Sequence, residues 1–229
     1  MHIVAPEKLK GVVFDLDGTL IRSTIDFTKM KGHMIEILER NGIPDGILTP
    51  TETTVVILEK SEVMWDENGK PEEERVPVRA TLEDAMDQGE IEAIPLVEEI
   101  DGSTEALRRL REMGYRLAIL TRSHHEYAVQ ALKKIGAYQY FYVILGRGET
   151  PRPKPYHEAL DHAAKLMELQ LDEIIFVGDH HIDAQSAQNS GCGFIGVGTE
   201  GRRRDPWSEL KPEVILDSVR DIPDYILKL

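Results

Sequence analysis

The sequence predicts an α/β protein, in which a doubly wound parallel sheet carries an inserted, mostly helical domain. Residues 12–14 form an unbroken apolar run, which is typical of a strand that is buried on both faces of a parallel sheet. From about Asp101 onward, short apolar strands alternate with helices, as in right-handed βαβ units. Residues 21–100 do not follow this alternation, so we expect them to form an insertion in the first crossover. The sheet domain would then comprise residues 1–20 and 101–229.

The first elements along the chain are a strand, a helix and the start of the insertion. We predict the strand over Gly11–Asp17 and the helix over Asp26–Arg40. Inside the insertion, Thr54–Trp65 fits either a helix or a strand, whereas Thr81–Ile94 fits a helix better. The acidic run Glu72–Glu74 belongs to a polar stretch between these two segments.

The rest of the chain predicts a regular series of elements. Apolar spacing predicts helices over Ser103–Met113, His124–Ile135, Lys154–Leu169, Asp183–Ser190 and, at the end, Asp224–Lys228. Short apolar runs predict strands over Arg116–Leu120, Phe141–Leu145, Ile174–Val177, Phe194–Val197 and Val214–Leu216. Three of the helices are followed by Gly114, Gly136 and Gly191, and glycine is the residue at which helices commonly end.

The composition restricts the compartment and the partners. Among 229 residues, 27 are Lys or Arg and 41 are Asp or Glu, which gives a formal net charge of −14. Such an acidic chain is a poor partner for nucleic acid or an anionic membrane, because both bind proteins largely through neutralised phosphates. Cys192 is the only cysteine, so neither an intramolecular disulfide nor a cysteine zinc site can form. No apolar run approaches the roughly 20 residues of a membrane span, and the N-terminal sequence lacks a signal peptide's apolar stretch, so we expect a cytoplasmic protein.

Charged and polar residues follow the predicted strands at one edge of the sheet. They are Asp15 and Asp17 after the first strand, Thr121 after the second, Lys154 in the proline-rich entry to a helix, and Asp179 and Asp183 after a later strand. Ligands of open α/β sheets bind beyond the carboxyl ends of the strands. Carboxylate oxygens suit Mg²⁺, and a lysine neutralises phosphoryl oxygens. The sequence therefore predicts a site for Mg²⁺ and a phosphate group.

The two carboxylates after the first strand need different roles. A carboxylate that contacts Mg²⁺ stays ionised and can act as a nucleophile. A second carboxylate that is not fully bound to the metal can exchange protons with the leaving oxygen and then with water. Hydrolysis of a phosphate monoester in two in-line steps, through an aspartyl-phosphate, would make so slow a reaction feasible.

Four motifs resemble those of the haloacid dehalogenase superfamily in its phosphatase version. The motifs are Phe14–Leu20, Leu120-Thr121, Lys154-Pro155, and Gly178-Asp179 with the following residues through Asp183. Their order and spacing agree with the family, and four ordered motifs are a far stronger signal than any single one. The resemblance implies a Rossmann-like sheet domain.

The resemblance also implies roles for the residues at the sheet edge. Asp15 would be the nucleophile and a Mg²⁺ ligand. Asp17 would be the general acid/base and would offer its backbone carbonyl to the metal. Thr121 and Lys154 would hold the transferring phosphoryl group, and Asp179 would be a further Mg²⁺ ligand.

Asp183 would support either the metal or Lys154. The insertion at residues 21–100 would be a small helical cap, as in phosphoglycolate phosphatase-like members, which closes over the site, excludes water and selects the substrate. Two positions depart from the family pattern. Arg122 stands where the family often has Asn, and His180 stands where it often has Ser or Thr.

Several of these residues also have a purely structural interpretation. Thr121 alone would usually be a helix N-cap, and Asp183 could be a first-turn residue that interacts with the helix dipole. Arg152 competes with Lys154 for the phosphate role. The run Arg202–Arg204 is best interpreted as a solvated loop.

The leading functional hypothesis is a Mg²⁺-dependent phosphatase that acts on a small phosphorylated metabolite, as a monomer or a homodimer. One alternative is a phosphomutase, which would use the same aspartyl-phosphate but protect it from water. Another is a non-catalytic phospho-receiver or binding module, although receivers lack an insertion of this size. The histidine pairs flank the predicted site, and for them a substrate or structural role is favoured over a metal site. They are His124, His125, His180 and His181.

Overall fold

The computed structural model describes residues 6–22, 24–198, 210 and 212–229, so the predicted loop at Arg202–Arg204 lies outside the described residues. Backbone contacts divide the chain into two compact units. One, here called the core unit, consists of residues 1–23 and 96–229. The other, the insert unit, consists of residues 24–95. Among the helices described, none combines the length and apolar character that crossing a membrane requires.

A parallel sheet forms the middle of the core unit. In the described residues it has six strands, in the spatial order β5–β4–β1–β6–β7–β8. The strands are β1 Gly11–Phe14, β4 Arg116–Leu120, β5 Val143–Leu145, β6 Ile174–Gly178, β7 Gly193–Val197 and β8 Val214–Leu216. Every pairing between neighbours is parallel. The predicted doubly wound sheet is thus confirmed, and β1 lies between β4 and β6 near its centre.

Helices alternate with the strands of this sheet. They are α4 Ser103–Glu112, α5 His125–Lys134, α6 His157–Leu166, α7 His181–Ser190 and α8 Ile222–Ile226. All four residues of β1 are buried, as the unbroken apolar run predicts. Phe176 on β6 and Phe194 on β7 meet edge to face with ring centroids 6.0 Å apart, in a cluster with alanines of α6 and α7. Each buried phenylalanine contributes about 1.5–3 kcal/mol, so this cluster holds the end of β6 firmly in place.

A second, very short sheet belongs to the core unit and was not predicted. β2 Ile21–Arg22 pairs antiparallel with β3 Glu98–Glu99, and the Arg22 guanidinium donates to the Glu99 carbonyl at 2.9 Å. Two residues per strand are too few to show an alternating pattern in the sequence. The pair joins the chain segments that flank the insert unit in sequence.

The insert unit consists of helices. They are α1 Phe27–Arg40, α2 Thr54–Glu67 and α3 Glu72–Ala93. The segment Thr54–Trp65, for which the sequence allowed either a helix or a strand, is therefore helical. The predicted helix Thr81–Ile94 is wrong at its start, because α3 begins at Glu72. Three acidic residues in its first turn interact favourably with the helix dipole, and Arg79 pairs with Glu72 and with Glu62 of α2. The side chain of Trp65 is buried in this unit.

Several helix boundaries in the core unit also differ from the prediction, and in two of these helices a proline lies at the boundary. The helix predicted over Lys154–Leu169 is the shorter α6. A residue that precedes proline is driven away from helical angles, and Pro155 therefore keeps Lys154 in a loop. The last helix was predicted over Asp224–Lys228 but begins earlier as α8, with Pro223 in the first turn, where its missing N–H has no consequence.

Glu213 has a carboxylate whose oxygens are buried, an environment that disfavours its charged form. It lies just before β8, and its backbone N–H donates to the Phe194 carbonyl at 3.0 Å. Both carboxylate oxygens are buried without a hydrogen-bond partner among the described residues. Burial raises the pKa of Glu213 to about 7.

We expect Glu213→Gln to raise the melting temperature by a few degrees at about pH 8 and by much less near pH 4. With its folded-state pKa raised, Glu213 binds more protons in the folded than in the unfolded protein between its ordinary value of 4.5 and about 7. Stability therefore falls as the pH rises through this window, and the amide removes that loss. Thermal unfolding across the pH range measures the effect, with the exposed Glu83→Gln as control. A difference that does not vary with pH would contradict the expectation.

Candidate active site

Side chains from several loops meet at the carboxyl-terminal edge of the core sheet. Asp15 follows β1, Thr121 follows β4 and Asp179 follows β6, and these three strands are neighbours. The backbone continues the sheet by one residue, because Asp15 N–H donates to the Val177 carbonyl and Thr121 N–H to the Leu145 carbonyl, both at 2.9 Å. All three side chains are buried. The parallel sheet thus brings Asp15 together with two groups that lie more than 100 residues away from it in sequence.

A buried ammonium group joins two of the carboxylates. Lys154 Nζ donates to Asp15 Oδ1 at 2.6 Å and to Asp183 Oδ1 at 2.7 Å. Only 3% of the Lys154 side chain is exposed, and the two carboxylates are nearly as buried. The loop before α6, the end of β1 and the first turn of α7 are therefore linked at one point.

Three buried carboxylates lie close to one another beside Lys154. Asp15, Asp179 and Asp183 each place an oxygen within 4.8 Å of the others. Burial raises the pKa of Asp15 to about 6, although Lys154 acts in the opposite direction, and Asp183 adds to the rise. Burial likewise raises the pKa of Asp183. The positive charge of Arg122 also interacts with Asp15 and Asp183. Hard oxygen donors of this kind suit a divalent cation.

Two glycines make room for these carboxylates. A Cβ on Gly18 would lie 2.5 Å from Asp179 Oδ2, and the φ of Gly18 is +88°, a region that favours glycine. A Cβ on Gly178 would lie 2.5 Å from that of Asp183. Thr19 Oγ1 lies 3.4 Å from Asp179 Oδ1, a contact that the sequence analysis did not anticipate. The motif residues around Asp15 and Asp179 thus serve close packing as well as chemistry.

Asp17 has different surroundings from Asp15. It is half-buried, and its carboxylate accepts hydrogen bonds from Ser123 Oγ and Tyr127 Oη, each at 2.9 Å. Its carboxylate is not one of the three that approach one another within 4.8 Å. The sequence analysis missed both donors. For Ser123, the only indication in the sequence was its position two residues after Thr121. For Tyr127, nothing distinguished it from other buried residues of a helix.

The contacts of Thr121, Arg152 and Lys154 bear on their competing interpretations. The N-cap of α5 is His124, so Thr121 is not needed for that purpose. The Thr121 hydroxyl instead accepts a backbone N–H two residues further on, at 3.1 Å. Arg152 is exposed and stacks on the Tyr156 ring, 3.2 Å from its centroid, whereas Lys154 is buried and binds Asp15 and Asp183.

Asp183 is both a helix residue and a site residue. Its Oδ2 accepts the His180 backbone N–H at 3.1 Å in a capping box at the start of α7, while its Oδ1 binds Lys154. His124 and His180 are the N-caps of α5 and α7. Burial lowers the pKa of His181, and the positive charge of Arg122 lowers it further.

The sequence of the chain matches a family model described as haloacid dehalogenase-like hydrolase over residues 12–197. The chain belongs to this family of hydrolases. The predicted superfamily is thereby confirmed, and the four motifs all fall within the matched region.

Relatives of the chain are named as phosphatases. A phosphoglycolate phosphatase from Rhodobacter capsulatus is 38% identical over 109 residues, which is 48% of this chain and 48% of that relative. The chain thus aligns with about half the length of this relative. A phosphoglycolate phosphatase from Vibrio vulnificus strain YJ016 is 26% identical over 232 residues and covers 96% of this chain and 97% of the relative.

Solved structures show the same fold. The crystal structure of a predicted phosphoglycolate phosphatase from Haemophilus somnus 129Pt has a TM-score of 0.65 and 21% identity. The match covers 95% of this chain and 98% of that chain. The shared architecture therefore extends over both units of the sequence.

We expect Lys154→Met to lower the free energy of unfolding by about 3–5 kcal/mol in the absence of divalent cations, because it leaves buried carboxylates without their ammonium. The loss should be smaller near pH 5, where protonation of Asp15 removes part of the uncompensated charge. Urea unfolding measures the difference, and Lys165→Met, at an exposed position of α6, is the matched control. A loss below about 1 kcal/mol would show that Lys154 does not support the cluster.

Proposed function

We propose that this chain is a Mg²⁺-dependent phosphatase that hydrolyses a small phosphomonoester through an aspartyl-phosphate on Asp15. The observation that carries the proposal is the buried group of three carboxylates around Lys154 at the sheet edge. Its place in a hydrolase family whose relatives are named phosphoglycolate phosphatases supports the same conclusion.

The proposed reaction has two steps. In the first, an oxygen of Asp15 bonds to phosphorus, the ester P–O bond breaks, and the leaving oxygen takes a proton from Asp17. In the second, Asp17 takes a proton from water as that water bonds to phosphorus, which releases phosphate and restores the Asp15 carboxylate. Thr121 and Lys154 would hold the phosphoryl oxygens during both steps.

The proposed Mg²⁺ ligands are the carboxylates of Asp15 and Asp179 and the backbone carbonyl of Asp17. Asp183 would support the metal or hold Lys154, to which it is already bound. The approach of three buried carboxylates to within 4.8 Å of one another at this edge supports the assignment. When bound, Mg²⁺ supplies positive charge that offsets the charge of the phosphoryl oxygens.

We further propose that the insert unit, predicted as a domain over residues 21–100, acts as the cap that excludes water and selects the substrate. The names of the relatives make phosphoglycolate the first substrate to test. A cytoplasmic location and a monomeric or homodimeric state stay predictions of the sequence analysis.

We expect wild-type protein with Mg²⁺ to release phosphate from p-nitrophenyl phosphate and from one or more members of a panel of small phosphomonoesters that includes phosphoglycolate. Asp15→Asn should lower kcat by roughly 10³-fold or more, because the amide is not a nucleophile. The exposed Asp84→Asn is the control and should behave as wild type.

The other outcomes of this assay are equally informative. Turnover that survives in Asp15→Asn would show that the nucleophile is a different residue. A folded wild-type protein that releases no phosphate from any substrate would favour the phosphomutase or the binding module instead. Analysis for a phosphate group moved within the substrate identifies the mutase.

We also expect saturating Mg²⁺ to raise the melting temperature of the wild-type protein. A ligand at about 100 times its Kd stabilises the folded state by about 2.7 kcal/mol, which is roughly 5–10 °C for a chain of this length. Asp179→Asn should reduce this shift strongly, whereas the exposed Asp172→Asn should keep it. Equal shifts in wild type and Asp179→Asn would contradict the proposed metal site.

A further inference from the structure

Asp17 is anchored through both of its carboxylate oxygens to one neighbouring segment of the core unit. Ser123 Oγ donates to Asp17 Oδ2 and Tyr127 Oη donates to Asp17 Oδ1, each at 2.9 Å. Ser123 lies in the loop after β4, and Tyr127 lies in the first turn of α5. The segment that follows β4 therefore holds the carboxylate that follows β1.

Both donors are themselves held in place. The Tyr127 ring is 1% exposed, and Ala128, Ala131 and Leu132 are buried on the same helix. Such a ring cannot move its hydroxyl away without disturbing the core. Ser123 is also buried, and its carbonyl accepts the Arg147 backbone N–H at 2.8 Å, which ties the loop after β4 to the loop after β5.

The two hydrogen bonds fix the direction of Asp17 and still leave it able to react. A carboxylate offers about four lone-pair positions, two on each oxygen, and the two hydroxyls occupy one position on each. These two bonds therefore do not use all the lone pairs of the carboxylate. Because the bonds engage both oxygens, they restrict rotation about both side-chain torsions, while Asp17 as a residue is only half-buried.

We infer that Ser123 and Tyr127 are positioning residues for proton transfer by Asp17. The inference rests on the proposed function, in which Asp17 is the general acid/base. Neither hydroxyl is assigned a contact with the substrate. Their effect is to hold the proton-carrying oxygen in one orientation relative to the leaving group, and orientation of this kind contributes strongly to catalysed rates.

The dependence of the rate on the leaving group is a measurement that a purely structural role of Ser123 and Tyr127 would not change. p-Nitrophenolate is weakly basic and departs without a proton, whereas an alkoxide needs a proton from the general acid. We therefore compare p-nitrophenyl phosphate with an alkyl phosphomonoester that the wild-type enzyme hydrolyses. Tyr127→Phe and Ser123→Ala each remove one donor, and Tyr127→Phe keeps the buried ring.

For the alkyl substrate, each variant should lower kcat by about 10–100-fold, with KM within about threefold of wild type. For p-nitrophenyl phosphate, the first turnover should change less than about threefold, because its chemistry needs no general acid. The second step still needs Asp17 as a base, so p-nitrophenol should appear as a burst followed by a slower steady rate. The double variant should show a larger decrease in kcat for the alkyl substrate than either single variant.

Two control variants separate this effect from a general loss of structure. Tyr142→Phe removes a hydroxyl from an exposed ring, and Ser190→Ala removes one at the end of α7. Both should keep the wild-type rates for both substrates. Thermal unfolding of every variant reports the fraction that is folded under the assay conditions.

Asp17→Asn distinguishes failure of this inference from failure of the proposed function. If Asp17→Asn shows the leaving-group-dependent loss and the Ser123 and Tyr127 variants do not, the positioning role is wrong while the proposed chemistry holds. Equal losses in the first turnover of both substrates in the Tyr127 and Ser123 variants would also overturn the positioning role. If Asp17→Asn keeps the wild-type rates for both substrates, the proposed role of Asp17 is wrong, and the positioning role of Ser123 and Tyr127 is then wrong as well.

Discussion

The contact on which the site depends is the bond of one buried ammonium group to two buried carboxylates. Lys154 reaches Asp15 and Asp183 from a loop that precedes α6, and Asp179 brings a third carboxylate close to both. Like charges at such separations repel strongly in a buried environment, so the group is electrostatically costly without its cation. Stability for this arrangement must come from elsewhere, and the apolar sheet behind it is the source. Sites that destabilise the protein in this way are common where function needs the charges.

The sheet offsets the electrostatic cost of the carboxylate group, and it also sets the positions of the site residues. β1 lies between β4 and β6 with every residue buried, and parallel pairing places the carboxyl ends of the three strands at one edge. Gly18 and Gly178 then allow the loops to approach within distances that any side chain would prevent. The precision of the site therefore comes from backbone packing, and the charged side chains are added to a framework that is already rigid.

The two carboxylates of the first motif are supported by different chemistry. Asp15 is bound by a charged group and buried, whereas Asp17 is bound by two neutral hydroxyls and half-buried. An ammonium partner suits a carboxylate that must stay ionised. Hydroxyl partners can donate to a carboxylate without adding a full charge, which suits a group that gains and loses a proton. Residues two positions apart can thus have separate roles because their neighbours differ.

The sequence by itself determined the fold class, the family and the residues that gather at the sheet edge, because these depend on local patterns. The apolar run at β1 and the alternation of strands with helices are readable within short windows. The tertiary structure alone decided the partners of Asp17, since Ser123 and Tyr127 lie 106 and 110 residues away in sequence. It also decided the pair β2–β3 and the start of α3 at Glu72, where only contacts with other segments distinguish an ordered element from a polar stretch. Local propensity is a property of neighbouring residues, whereas hydrogen bonds and ion pairs between distant segments exist only once the chain has packed.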